Sequence, residues 1–236
     1  MCREVFALPG FVKGPFLTFG YQDIIGKDFP EDFRFRDVGS LMRARGVCNV
    51  TTLDLFDERA DMRFDMNDPV PEEHHGKYAT LMDIGSLEHC FDSAQAMENC
   101  MRMVKPGGYY FLETPVNGCL RHGFHTFNPD MIAEAFRLNG FVIRYLRYIS
   151  FFGVPLAEPE QAQDALIVIV GQKAGEMGAF AAPQQAEWKQ INEGNSRRDD
   201  SRFDIGNWPR WEYWVRRLCP PILVPLVGKM KVWILG

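Results

Sequence analysis

Residues 78–89, YATLMDIGSLEH, and residues 105–113, KPGGYYFLE, decide the fold of this chain. The first opens with a short apolar run lacking polar alternation, which suits a parallel strand buried on both faces. It breaks at Gly85 and Ser86, where the backbone can turn out at the carboxyl edge of a sheet. Asp92 then supplies an N-cap with Gln95 three residues on, and Met97, Cys100, Met101 and Val104 recur at helical spacing. Pro106 cannot extend that helix, Gly107 and Gly108 permit a left-handed turn, and residues 109–113 resume as strand. The unit is strand, helix, parallel strand. In an open sheet of such units, ligands bind beyond the carboxyl ends of the strands, which points to residues 85–90 and 113–118.

Working outward, residues 16–20 read as the first strand running into Gly20, and Asp37 caps a short helix bearing Val38, Leu41 and Met42 with Gly46 as its stop. Residues 50–56 form a second strand, and residues 60–68 match the third strand and following loop of the family that the chain resembles. Asn128 caps a helix with Pro129 in its first turn, an apolar face of Ile132, Ala135 and Phe136, and Gly140 at its end. Residues 141–149 and 165–172 complete a count of seven strands, and residues 150–164 between them are expected to be a loop over the site.

The order and spacing of the Glu88-His89 pair and the Lys105-Pro106-Gly107-Gly108 turn resemble the class I S-adenosylmethionine-dependent methyltransferases, in particular the small-molecule, type 11-like group, over roughly residues 16–172. That resemblance implies a Rossmann-like α/β fold, a seven-stranded and mostly parallel sheet with an antiparallel last strand. It implies S-adenosyl-L-methionine as cofactor, with Gly20 and Asp23 at its amino-acid moiety, Asp54 on the ribose hydroxyls, Asp65 and Met66 at adenine, and Gly85 and Glu88 along the crevice. The chain departs from the family at the first loop, where only Gly20 remains of a glycine-rich turn. Asp57 is an alternative to Asp54, and Asp23 and Asp65 read equally as turn residues.

Methyl transfer from a sulfonium needs an aligned acceptor and a route for its proton, and histidine is the side chain suited to take that proton near neutral pH. His89, His125 and His122 are the candidate catalytic residues, against the alternative that they only pack or anchor loops. Relatives acting on quinone precursors carry a further acid three residues before the Glu-His pair that helps hold a divalent ion. Gly85 stands there in this chain, so no metal is expected, and a Glu88, His89 and His122 site is the minority reading. The expected function is methylation of a hydroxyl or amine of a small molecule. The alternative is an inactive methyltransferase-like domain that binds a partner.

Composition narrows the classes further. The 236-residue chain carries a net charge of -5 with no long basic run, which argues against nucleic acid as a substrate. The six cysteines are scattered, which speaks against a zinc ribbon or a disulfide framework and for a reducing, cytoplasmic setting. A boundary is expected near residue 175, giving a methyltransferase domain over 1–175 and a linker with a Trp- and Pro-rich C-terminal extension over 176–236. All five tryptophans lie in that extension, and its prolines and length exclude a bilayer span. It is expected to pack on the domain or between subunits of a homo-oligomer, with peripheral membrane contact as the other reading.

Overall fold

The alternation of side chains along the strands is what builds this domain, because successive residues point to opposite faces of a sheet and here both faces are covered. The computed structural model describes residues 2–11, 13–24 and 36–184. The elements run in the order α1 (Cys2–Phe6), β1 (Phe16–Phe19), α2 (Val38–Ala44), β2 (Val50–Leu53), β3 (Tyr78–Ile84), α3 (Ser93–Met103), β4 (Val104–Asn117), α4 (Pro129–Leu138), β5 (Phe141–Ser150), β6 (Pro155–Leu156) and β7 (Ala165–Lys173). One core gathers Leu17, Leu81, Tyr110, Leu112, Ile167 and Ile169 under α3 and α4. The opposite core takes their neighbours Phe16, Met82, Tyr109, Phe111, Val168 and Val170 under α2 and the N-terminal residues Val5 and Phe11.

The strands form one sheet in the order β2-β1-β3-β4-β7-β5-β6. Pairs among β2, β1, β3 and β4 are parallel, and β7 runs antiparallel between β4 and β5. From β1 the chain passes to β2 on one side and from β3 to β4 on the other. The gap between the carboxyl ends of β1 and β3 is therefore the topological switch point, where such sheets bind ligands.

The capping signals read from the sequence are present. Asp37 accepts from Ser40 N, Asp92 from Gln95 N, and Asn128 from Asp130 N and Met131 N, with Pro129 in the first turn of α4. Gly107 adopts φ +76, the left-handed conformation its turn requires. At the C-terminal end of α3, the buried Lys173 ammonium donates to Met101 O at 2.8 Å and Val104 O at 2.6 Å, answering carbonyls that have no partner within the helix.

Two expectations are corrected. Residues 60–68 do not form a third strand: a single parallel bridge, Leu53 to Met62, is all that pairs there. The cause is Asp61, whose Oδ2 accepts from Thr52 N and Thr52 Oγ1, both at 2.9 Å, and so occupies the edge of β2 that another strand would take. The seventh strand is instead β6, inside the segment 150–164 read as loop, where Pro155–Leu156 pairs back onto β5. Residues 176–184 continue along the domain, with Met177 and Phe180 packed on the core and Ala181 N donating to Asn139 Oδ1 at 2.9 Å. The Trp-rich segment from residue 185 onward lies outside the described residues. Among the described residues, no helix is long and apolar enough to cross a membrane.

Candidate active site

The loop after β1 is held by side chains in place of the absent glycines. Gly20 has φ +85, and a Cβ there would lie 2.3 Å from Ser86 Oγ, so this position requires glycine. The Gln22 amide donates to Phe19 O at 2.8 Å and to Ser86 Oγ at 2.9 Å, while Ser86 Oγ itself donates to Phe19 O at 2.8 Å. These bonds cross the switch-point crevice directly. Asp23 does not offer a free carboxylate: Arg59 grips it through both terminal nitrogens at 3.2 and 3.1 Å. Arg59 also binds Asp57 and lies 4.1 Å from the centre of the Tyr21 ring. The guanidinium thus ties the β1 loop to the β2 loop, and its bonds hold the Asp57 carboxyl down at about 2.

Asp54 stands at the end of β2. Its Oδ2 accepts from Tyr21 N at 2.9 Å, and its Oδ1 from Phe56 N and Asp57 N at 2.9 and 3.0 Å. Burial pushes this carboxyl up, but the three backbone donors outweigh it and leave it below the ordinary carboxylate value. Asp65 turns back on its own loop, accepting from Asn67 N and Asn67 Nδ2 at 2.9 and 2.7 Å. Met66 does not present a surface for adenine, because its side chain is 2% exposed and committed to the core. Asn99 on α3 fixes this segment by donating to Met66 O and Asp68 O and accepting from Val70 N.

At the carboxyl end of β3 lies a set of buried acids. Asp83, fully buried, accepts from Ser86 N at 2.8 Å and faces the Tyr110 hydroxyl at 3.5 Å. Burial raises its pKa well above the ordinary value, and the neighbouring Glu88 adds to the rise. A one-turn helix over Leu87–His89 then directs Glu88 inward, where it is 1% exposed, and leaves His89 at the surface. Glu88 Oε2 accepts from Thr114 Oγ1 at 2.9 Å. Burial raises this carboxyl too, against the bond from Thr114 and the pull of His89 and His122. Gly85, at φ +76, gives this turn its shape.

The segment after β4 closes over that carboxylate. Phe124 N and His125 N both donate to Glu88 O, at 2.8 and 3.2 Å, and a Cβ on Gly123 would fall 2.9 Å from Glu88 Cγ, so glycine admits the close approach. Cys119 and Arg121 sit at φ 54 and 68, a conformation that residues with side chains rarely adopt and that marks functional loops. Asp164 anchors the strained turn by accepting from Cys119 N at 2.7 Å. The result is that His122 Nε2 stands 3.6 Å from Glu88 Oε1 and its ring lies 5.1 Å from that of His89. His125 is turned aside, with Nε2 at 3.1 Å from Phe91 O and its ring stacked on Phe127. Phe91, Phe124 and Phe152, 81, 72 and 91% exposed, form an apolar rim with Phe151, which meets the His122 ring edge-on.

The structure therefore brings together Gly85, Glu88, His89 and His122 at one edge and Gly20, Asp23 and Asp54 at the adjoining one. Thr114, Asp83, Gln22, Ser86 and Arg59 are participants that the sequence reading did not single out. Asp83 carried a signal, being the one charge in an otherwise apolar strand.

No family model matches the chain. A ubiquinone biosynthesis O-methyltransferase of Shewanella pealeana is 34% identical over 92 residues, which cover 33% of this chain and 39% of that protein's length. Among solved structures, an S-adenosylmethionine-dependent methyltransferase from Mesorhizobium loti aligns with a TM-score of 0.47 at 16% identity, over 70% of this chain and 94% of its own. The 1,6-didemethyltoxoflavin-N1-methyltransferase of Burkholderia thailandensis, solved with S-adenosylhomocysteine, aligns with a TM-score of 0.40 at 15% identity, over 67% of this chain and 70% of its own. With β1 and β3 flanking the switch point and β7 inserted antiparallel between β4 and β5, the chain has a Rossmann-like α/β fold.

Proposed function

We propose that this chain is an S-adenosyl-L-methionine-dependent methyltransferase that transfers a methyl group to a hydroxyl or amine of a small, partly apolar molecule. The observation that carries the reading is the convergence of Glu88, His89 and His122 at the carboxyl edge, next to the crevice between β1 and β3. The 92-residue likeness to an O-methyltransferase supports it. The exposed phenylalanines around the histidines favour an acceptor with an apolar or planar part.

S-adenosylmethionine, when bound, supplies a methyl group on a positively charged sulfur. The chain's own part is to receive it and to align the acceptor. Asp54 Oδ2 accepts one bond from the backbone and keeps capacity for a ribose hydroxyl. Gln22 and Ser86, bonded to each other across the crevice, would line the bound cofactor. Glu88, His89 and His122 would stand beside the acceptor oxygen or nitrogen that the cofactor would methylate, and His89, exposed at the rim, would take the acceptor's proton. His125 anchors the loop through Phe91. A partner-binding module without catalysis would have no physical need for a histidine pair against a buried carboxylate.

The test is calorimetric titration of the purified protein with S-adenosylhomocysteine, backed by a thermal shift, since a ligand of the native state must raise the melting temperature. Binding with micromolar affinity is expected. Absence of binding at millimolar ligand refutes the enzyme reading. With an acceptor in hand, His89→Gln lowers turnover by about a hundredfold with cofactor affinity unchanged.

A further inference from the structure

We propose that the Gln22 side chain is an internal occupant of the cofactor crevice, seated where the amino-acid arm of the cofactor enters, and that it sets the affinity for that arm by competing with it. The inference rests on the methyltransferase reading and adds to it a residue that selects the ligand. Along the carboxyl edge the strand order is β2, β1, β3, so Asp54, the Gln22 loop and the Glu88 turn follow one another. A ligand whose ribose meets Asp54 and whose methyl group faces the histidines must carry its sulfur, and the amino-acid arm on that sulfur, past the gap between β1 and β3. The half-buried Gln22 side chain lies in that gap.

Three polar atoms close the gap. Gln22 Nε2 donates to Phe19 O at 2.8 Å and to Ser86 Oγ at 2.9 Å, and Ser86 Oγ donates to Phe19 O at 2.8 Å, so each side of the triangle is one hydrogen bond. A Cβ on Gly20 would stand 2.5 Å from Gln22 Nε2, closer than packed atoms come, so the space beside the amide is filled. The two acceptors are fixed by the sheet. Phe19 ends β1, and Ser86 is held by its own N–H on Asp83 Oδ1 at 2.8 Å. An amide nitrogen thus sits where an ammonium group, which carries only donors, would use the same two oxygens. Asp23 does not draw that ammonium elsewhere, because Arg59 already grips its carboxylate.

Only the side chain has to move. The loop backbone is pinned at successive residues: Gly20 N donates to Leu53 O at 2.7 Å, Tyr21 N to Asp54 Oδ2 at 2.9 Å, and Gln22 O accepts from Val38 N at 2.9 Å. Rotation of Gln22 about its own side-chain bonds opens the gap and leaves the Asp54 end of the crevice as it is. The amide gives up both of its bonds when the arm enters, so the apparent affinity is reduced by the fraction of molecules in which Gln22 is already turned away. For two hydrogen bonds of ordinary net strength that fraction is about a tenth.

The experiment titrates the full chain calorimetrically with S-adenosylhomocysteine and with adenosine, which keeps the ribose and base but lacks the amino-acid arm. Gln22→Ala is expected to bind S-adenosylhomocysteine about tenfold more tightly than the parent, and to bind adenosine as the parent does. Gln22→Met keeps the length of the side chain without its donors and should match the alanine variant, so it serves if the smaller residue unsettles the loop. In isotope-labelled parent protein the Gln22 side-chain amide resonances should shift on addition of S-adenosylhomocysteine and hold still on addition of adenosine. The proposal is overturned if the parent binds S-adenosylhomocysteine and neither variant binds it more tightly, an outcome that leaves the methyltransferase reading standing. It is also overturned if adenosine affinity rises by the same factor, which would mean a general loosening of the crevice. Binding by the variants alone supports the occupant and refutes the enzyme reading of the parent. Absence of binding by all of these proteins refutes both.

Discussion

Replacing Asp83 by Asn is expected to stabilise this protein, and by an amount that grows with pH. Asp83 is fully buried at the end of β3, and burial together with the neighbouring Glu88 raises its pKa well above the ordinary value. Between the unfolded carboxyl pKa of about 3.9 and the raised folded one, the native state therefore keeps a proton that the unfolded chain has released. The sign follows from linkage. For an acid whose folded pKa is raised, the stability is fully present below the unfolded value and declines as pH climbs toward the folded one. Across that window the difference is one proton, so stability falls by up to about 1.4 kcal/mol per pH unit. Asparagine mimics the protonated acid: its oxygen accepts from Ser86 N and its amide reaches the Tyr110 hydroxyl, the two partners that Asp83 has now. Wherever native Asp83 holds its proton, the exchange changes no charge felt by Glu88. Urea unfolding of both proteins at intervals between about pH 5 and 8 measures the effect. The variant's advantage should widen with pH at up to the slope above. Parallel curves would refute the argument, since they would mean that native Asp83 titrates like the unfolded residue.

Lys173→Met removes the two donors to Met101 O and Val104 O and leaves buried carbonyls at the end of α3 unanswered. A loss of about 2–4 kcal/mol in urea unfolding is expected, and a loss under about 1 kcal/mol would mean that water replaces the ammonium. Asp54→Ala should weaken S-adenosylhomocysteine by about 1–3 kcal/mol, measured calorimetrically on protein shown by circular dichroism to be folded. Unchanged affinity would move the ribose contact to another acceptor.

The fold was legible wherever one local rule governed an element. The helices declared themselves through Asp37, Asp92 and Asn128, whose side chains had to meet free backbone donors, and the buried strands through apolar runs that needed cover on both faces. The third strand was misread because the resemblance demands one there, while the residues supply Asp61, whose carboxylate satisfies Thr52 as a neighbouring strand would. β6 was missed because two residues of pairing leave no periodicity to detect. Gly20 and Asp54 stand just past the ends of β1 and β2 as read, but the partners of the candidate residues were not readable. Arg59 finds Asp23 across 36 positions and Ser86 finds Gln22 across 64, so only the folded sheet shows that these groups are engaged.

The same distinction explains the histidines. Three of them lie within or beside the two edge loops, and nothing in their spacing ranks them. The ranking comes from Glu88, whose backbone carbonyl receives the 122–125 segment while its buried side chain bonds Thr114 on β4. A segment fixed at Phe124 N and His125 N must place the residue before Gly123 over the carboxylate, and it must turn His125 toward Phe91. His122 is thus selected by the glycine beside it, not by any chemistry of its own. It follows that Gly123→Ala should act like a site mutation although it touches no ligand: the added Cβ, 2.9 Å from Glu88 Cγ, has to push the loop outward and carry His122 with it. Such a variant should keep its unfolding transition while the amides of residues 119–125 lose hydrogen-exchange protection and the His122 ring resonances shift. If neither changes, the loop's close approach does not position His122, and the pairing of His122 with Glu88 loses its structural cause.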